Sequence, residues 1–298
     1  MTALEDDAAF LRTLHGAPVE DLEPLTGGFW SRAYGYRVGA DELVARFGEI
    51  RAGFEADRRA MAYASPDLPV PEVLDIGDAF GAAYAISRRA RGRFLEELDP
   101  SEAERAAPML RRLLDAIRAA PPVPGESFRP WREWLLASLA DDDPGHPTAG
   151  WRRLLAARPD ADRTFRACEA RIVELLPDCP DRGELVHGDL LHRNVLIDDD
   201  ASAVTAVFSW KCAGRGDALY DAAWCTFWGD TFHPGIAAVD VRALVDADPV
   251  RHHCYELHIG ATHLGWNAWT GDDDSLERVR LHLDHLYRKF LPNTVATQ

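Results

Sequence analysis

Asp189 and Asn194, set in the run Val186-His187-Gly188-Asp189-Leu190-Leu191-His192-Arg193-Asn194, have the residue types and spacing of a phosphoryl-transfer loop. In that chemistry a carboxylate accepts the proton of the attacking hydroxyl, and an amide oxygen helps to hold magnesium on the nucleoside triphosphate. The apolar run Val195-Leu196-Ile197 follows, then the acidic turn 198–200, then a second apolar run from Val204 to Phe208. Such a hairpin can hold the Asp and the Asn rigidly beside one another. The plain alternative is a helix-capping Asp followed by an ordinary turn Asn. The same chemistry wants a second acidic metal ligand on the next strand, and there the sequence reads Phe208-Ser209-Trp210. His187 reads as a packing residue bonded to the loop backbone, because Asp189 already supplies the proton acceptor. His192 is either a spacer or a substrate contact.

The nucleotide side carries weaker marks. No GxxxxGK[ST] run occurs, which excludes a Walker-type phosphate loop. Gly27-Gly28, followed by Ser31, suits a hairpin turn whose backbone amides face phosphates. Arg46, late in the following strand, stands where a phosphate-pairing cation is wanted, and Asp57 on the next helix can pair with it. An exposed Arg–Asp pair is also common surface decoration.

The elements that must position these groups fall into two parts. Residues 1–90 mix a short opening helix over 4–14, strands between Glu23 and Phe47, a helix from Phe54 to Ala64 and extended runs at Val73–Ile76 and Ala82–Ser87. Tyr34, Tyr36 and Val38 share one strand face, and Phe54, Met61 and Arg58 share one side of the helix. Several hairpins around one main helix describe an α+β lobe, not a doubly wound sheet. Residues 91–298 are mostly helical. Helical spacing runs over 102–119, 163–176, 250–269 and 275–290, with a loop rich in Asp, Pro and Gly at 141–150. The cluster Asp272-Asp273-Asp274 reads first as a helix cap before Leu276, and otherwise as part of an acceptor cleft.

Composition narrows the function classes. The chain has 298 residues, 47% hydrophobic and 28% charged, with a net charge of −16. That acidity argues against nucleic acid as a partner. It suits either simple solubility or an acid-lined site for a cationic small molecule. The five scattered cysteines form no CxxC pair, so neither a disulfide framework nor a zinc site is expected. The N-terminal segment lacks the apolar core of a signal peptide, and no run is long enough to span a bilayer. A cytoplasmic location, no membrane partner and a monomer are the expectations.

Taken together, these residues resemble the aminoglycoside phosphotransferase family. The resemblance rests on Ser31-Arg32-Ala33-Tyr34, Arg46-Phe47, Gly53-Phe54 with Asp57-Arg58, Val70-Pro71-Glu72-Val73-Leu74-Asp75-Ile76-Gly77, the 187–194 loop, and Gly216-Asp217 with Tyr220. It implies a two-lobed, protein-kinase-like α+β fold, with ATP (or GTP) and magnesium as cofactors and a cationic aminoglycoside as acceptor. By the same resemblance, Asp189 is the catalytic base and meets the substrate, Asn194 is a magnesium ligand, and Ser209 occupies the place of the second, acidic ligand. Arg46 contacts phosphates and Asp57 orients it. Gly27, Gly28 and Ser31 form the flap over the phosphates, and the backbone of Arg88, Arg89 and Ala90 forms the hinge that binds adenine. Asp217 braces the catalytic loop and Asp221 lines the acceptor site. The family pattern at 208–210 is Ile-Asp-Trp, so Ser209 is a departure. It leaves open a kinase-like protein that binds its ligand without phosphorylating it. Another hydroxyl acceptor, such as a macrolide or an amino alcohol, is a further alternative. A macrolide would need an apolar surface, for which Trp224, Phe227, Trp228 and Trp266 are candidates, though they read first as core.

Overall fold

The computed structural model describes residues 3–26, 28–123, 126–143 and 146–289. The chain forms two compact units. The first takes residues 1–97 together with 191–213; the second takes 98–190 together with 214–298.

In the first unit, helix α1 (Ala3–His15) precedes strands β1 (Glu20–Leu25), β2 (Ser31–Val38) and β3 (Asp41–Gly48). Helix α2 (Arg51–Ala60) then leads to β4 (Val73–Ala79) and β5 (Ala82–Arg88), and the strands form one antiparallel sheet in the order β1-β2-β3-β5-β4. One face buries Tyr34, Tyr36, Phe47 and Ile86 against Leu11 of α1, with Val38 packed at the margin. A second cluster joins Phe54 of α2 to Val73, Ile76, Ala83 and Ala85. Burying side chains of this size contributes about 1.5–3 kcal/mol each. On α2 the buried positions are Phe54, Asp57 and Ala60, while Arg58 is exposed. Phe54 and Met61, which lies in the 3-10 turn Met61–Tyr63, pack into one cluster as the spacing predicts, and only Arg58 falls outside that side. A three-stranded sheet completes the unit: Arg93–Phe94 pairs with Val195–Ile197, which pairs with Val204–Val207. The hairpin turn is closed by Asp198, which accepts bonds from the backbone of Ser202 and Ala203 and from the Ser202 hydroxyl.

The second unit is mainly helical. Its long helix, Pro249–Thr270, packs against Pro159–Leu175, Leu219–Phe232 and Asp273–Lys289. Helix Ala103–Ala119 buries Ala106, Leu110, Leu113, Leu114 and Ile117, the stripe its spacing predicts. Helix Leu219–Phe232 has no such stripe in sequence because its residues from Leu219 to Gly229 are all buried. Trp224, Phe227 and Trp228 belong to that buried run, whereas Trp266 is only half-buried. Asp272 accepts the Ser275 N–H at 2.9 Å, the capping role expected for the Asp cluster. An antiparallel α+β unit and a helical unit make up the fold class the sequence predicts. All five cysteines are free thiols.

Candidate active site

The second unit builds the turn that carries Asp189. Strand Glu184–Val186 pairs antiparallel with Gly214–Gly216. The Trp131 ring packs directly on this strand: a Cβ on Gly216 would lie 2.1 Å from it. Beyond Val186 the chain reverses through Gly188, whose φ of +76° is a left-handed conformation that glycine adopts without steric cost. Asp221, on the first turn of helix Leu219–Phe232, locks this reversal. Its two carboxylate oxygens accept the N–H groups of His187 at 2.8 Å and Gly188 at 2.9 Å, and the side chain is completely buried. Burial pushes the Asp221 carboxyl above the usual carboxylate range, opposed by His187 and the two amides. His187 is also fully buried, and its Nδ1 accepts the Asp189 N–H at 3.2 Å, as expected of a loop-packing residue. Asp189 itself is only half-buried.

Two assignments change here. Asp221 does not line an acceptor surface, because no part of it reaches solvent and both oxygens are occupied by backbone. It performs the bracing that the resemblance gave to Asp217. Asp217 instead accepts the Tyr255 hydroxyl at 2.9 Å and pairs with Arg251 at 3.3 Å, anchoring the strand Gly214–Gly216 to the long helix. The signal in the sequence was an acid inside the otherwise apolar run 219–228, where only a fully bonded carboxylate is tolerated.

The first unit gathers the other named residues. His192 and Arg193 are consecutive left-handed residues, with φ of 65° and 64°, leading into Asn194. Asn194 Nδ2 donates to the Leu191 carbonyl at 2.9 Å, and the Asn194 backbone carbonyl accepts the Phe208 N–H at 3.0 Å, which fixes the loop to the start of the 208–210 segment. Ser209 is itself left-handed, with φ of 69°. A pocket in this unit is lined by Ser31, Arg46, Gly53, Asp57, Ser209 and Lys211, among others. Arg46 pairs with Asp57 at 2.6 Å, and the other Asp57 oxygen accepts the Trp210 N–H at 2.8 Å. Asp57 is buried, so the pair is part of the pocket wall and not surface decoration. The first turn of α2 contains no acid, and its N-cap residue, Ile50, supplies no side-chain bond. Its amide end therefore adds positive potential at the pocket.

The remaining expected residues are dispersed. Gly27 lies outside the described residues. Gly28 is exposed, and nothing approaches within 4 Å of the place a Cβ would occupy. The Arg88 and Arg89 amides donate to the carbonyls of Glu72 and Glu42 at 2.9 and 3.0 Å, so neither N–H is left for adenine; Ala90 follows beyond β5. The sequence reading missed Lys211, which no motif marks.

A resident magnesium ion fits this donor set poorly. Hard divalent cations take carboxylate oxygens, and Asn194 and Ser209 present only neutral ones. Asp57, the carboxylate of the pocket, has one oxygen on Arg46 and the other on the Trp210 amide. Among the described residues no group of three or more His, Cys, Asp or Glu side chains is arranged to hold a metal.

A sheet-and-helix unit with an Arg–Asp pocket, and a helical unit presenting a braced Asp on a strand-end turn, define the class of kinase-like phosphotransferases. The sequence profile of the phosphotransferase enzyme family matches residues 21–254, and the chain belongs to that family. It is 34% identical over 304 residues to the hygromycin-B 4-O-kinase of Escherichia coli, covering 94% of this chain and 84% of that protein. Among solved structures it resembles aminoglycoside phosphotransferase APH(4)-Ia in a ternary complex with AMP-PNP and hygromycin B. The TM-score there is 0.80 at 29% identity, over 94% of this chain and 97% of that one. The GDP complex of an aminoglycoside 2'-phosphotransferase-IIIa mutant shares the fold, with a TM-score of 0.66 at 18% identity over 96% and 98% of the two chains. No helix among the described residues is long and apolar enough to cross a membrane.

Proposed function

We propose that this protein transfers the γ-phosphoryl group of ATP to a hydroxyl of a cationic aminoglycoside of the hygromycin B type. The observation that carries this reading is the braced Asp189 turn in a chain 34% identical to a hygromycin-B 4-O-kinase over nearly its whole length. Solved structures of the related APH(4)-Ia include replacements of an aspartate and of an asparagine that are separated as Asp189 and Asn194 are here.

In the proposed reaction the Asp189 carboxylate orients the acceptor hydroxyl and takes its proton as the oxygen attacks the γ-phosphorus in line. ADP leaves with the electrons of the broken P–O bond. Asp221 holds the turn so that Asp189 needs little reorganisation during the step. Arg46, oriented by Asp57, pairs with the triphosphate. The net charge of −16 favours accumulation of an ammonium-bearing acceptor.

ADP release with hygromycin B, followed in parallel for the native chain and for Ser209→Asp, tests the reading. Acceptor-dependent ADP release by the native chain, with a one-phosphate mass gain on the antibiotic, supports it. No release from either protein with any aminoglycoside overturns it. Ser209 favours a second reading, in which the native chain binds the antibiotic without turnover and only Ser209→Asp transfers phosphate.

A further inference from the structure

Two residues beyond Ser209, Lys211 lines the same pocket as Arg46, Asp57 and Ser209. The chain has 33 basic side chains, and only two of them, Lys211 and Lys289, are lysines. An arginine-using chain therefore places one of its two compact ammonium groups here. The Lys211 stem passes the glycine of α2, with its Cδ 3.9 Å from the place a Gly53 Cβ would occupy. Its Nζ rests 5.0 Å from the centre of the Trp30 ring. No carboxylate among the described residues forms an ion pair with it, although the chain is strongly acidic.

The charge balance of the pocket follows directly. Arg46 and Asp57 cancel at 2.6 Å, and Ser209 is neutral, so Lys211 gives the pocket a net positive charge. An aspartate at 209 would have cancelled it and required a metal ion to restore attraction for phosphate. We infer that Lys211 is a phosphate-binding residue that supplies, from the chain itself, the positive charge that a metal ion held by an acid at 209 would bring, with Trp30 holding its ammonium ready for the nucleotide. An ammonium is a mobile point charge with three donors, suited to a flexible polyphosphate. A cation–π contact of this kind is weak enough to be exchanged for a phosphate oxygen. This inference rests on the phosphotransferase reading and deepens its nucleotide half.

The test compares binding of ATP and of adenosine to the full chain by calorimetry, with EDTA and with excess magnesium, for the native protein, Lys211→Gln, Lys211→Arg and Ser209→Asp. Without magnesium, Lys211→Gln should bind ATP roughly ten- to hundred-fold more weakly, the loss of one charge-assisted hydrogen bond. Adenosine affinity should stay unchanged, which also reports that the variant is folded. Lys211→Arg should recover most of the ATP affinity. The native chain should lose less ATP affinity on magnesium removal than Ser209→Asp does. Equal ATP affinity in the native chain and Lys211→Gln overturns the inference while leaving the phosphotransferase reading standing, as does a native chain that depends on magnesium as steeply as Ser209→Asp. A native chain that binds neither ATP nor adenosine overturns both.

Discussion

The Asp189 turn and the Arg46 pocket treat their carboxylates in opposite ways. In the helical unit, Asp221 is fully buried and satisfied by two backbone amides, while Asp189, the proton acceptor we propose, is half-buried on the turn that Asp221 braces. In the sheet unit, the pocket's Asp57 is held by an arginine and a third backbone amide, and the neighbouring position that would offer a second acid is Ser209. The Asp189 turn thus carries every carboxylate the proposed proton transfer needs, while the Arg46 pocket has a neutral Ser209 and a cationic Lys211 beside its one paired acid. Backbone-braced carboxylates are costly to alter, because removing one orphans buried N–H groups. A pocket-facing serine has no such dependants, so the change at 209 leaves the fold intact.

The largest effect that could break this contrast is at Asp189. Asp189→Asn should reduce turnover by roughly 10²–10⁴-fold while nucleotide affinity, set in the other unit, changes little. A parallel loss of ATP binding in a titration would show that the halves are not separable. Next, Ser209→Asp should raise turnover by up to about a thousandfold, the scale of one transition-state charge contact, and make it steeply magnesium-dependent in a metal titration. A rate that is flat or falls would mean the serine is suited to this chain's chemistry. Third, Asp57→Ala strands the Arg46 charge and the Trp210 N–H. It should lower unfolding free energy by about 3 kcal/mol, read as a lowered urea midpoint, with Asp57→Asn losing less because its amide oxygen can still accept from Trp210.

A last effect, small near neutral pH, separates the units by pH. Burial depresses His253 and His258 of the long helix from 6.5 to about 4, with Glu256 opposing the shift at His253 and the Leu135 carbonyl opposing it at His258. Between those values the unfolded chain binds protons that the folded chain refuses. Stability is therefore full above about 6.5 and falls as pH drops towards about 4, by about 1.4 kcal/mol per pH unit for each histidine. Hydrogen exchange at pH 5 should show the helical unit opening first. His258→Gln should flatten its share of the slope in urea titrations from pH 7 to 5.

Much of this site was legible because its signals are local. The Asp189–Asn194 spacing, the hairpin behind it, the amphipathic stripes of helices such as Ala103–Ala119 and the Arg46–Asp57 pairing all depend on residues near one another or on a regular period. Helix Leu219–Phe232 hid itself by being buried on every side, and with it went the reason for Asp221. That Asp221 braces the loop, and not Asp217 four residues earlier, turns on which of the two acids faces the strand end, and composition carries no trace of that.

By itself, the sequence determined the family chemistry, the α+β class and the missing acid at 209, since each is written in residue type and spacing. Only the tertiary structure decided that residues 191–213 pack with the first 97, that both Asp57 oxygens are occupied, and that Lys211 shares a pocket with Ser209 and Arg46. The bond from Trp210 to Asp57 alone joins residues 153 positions apart. Their energies come from desolvation and directional bonding, which exist only once the chain has closed around them.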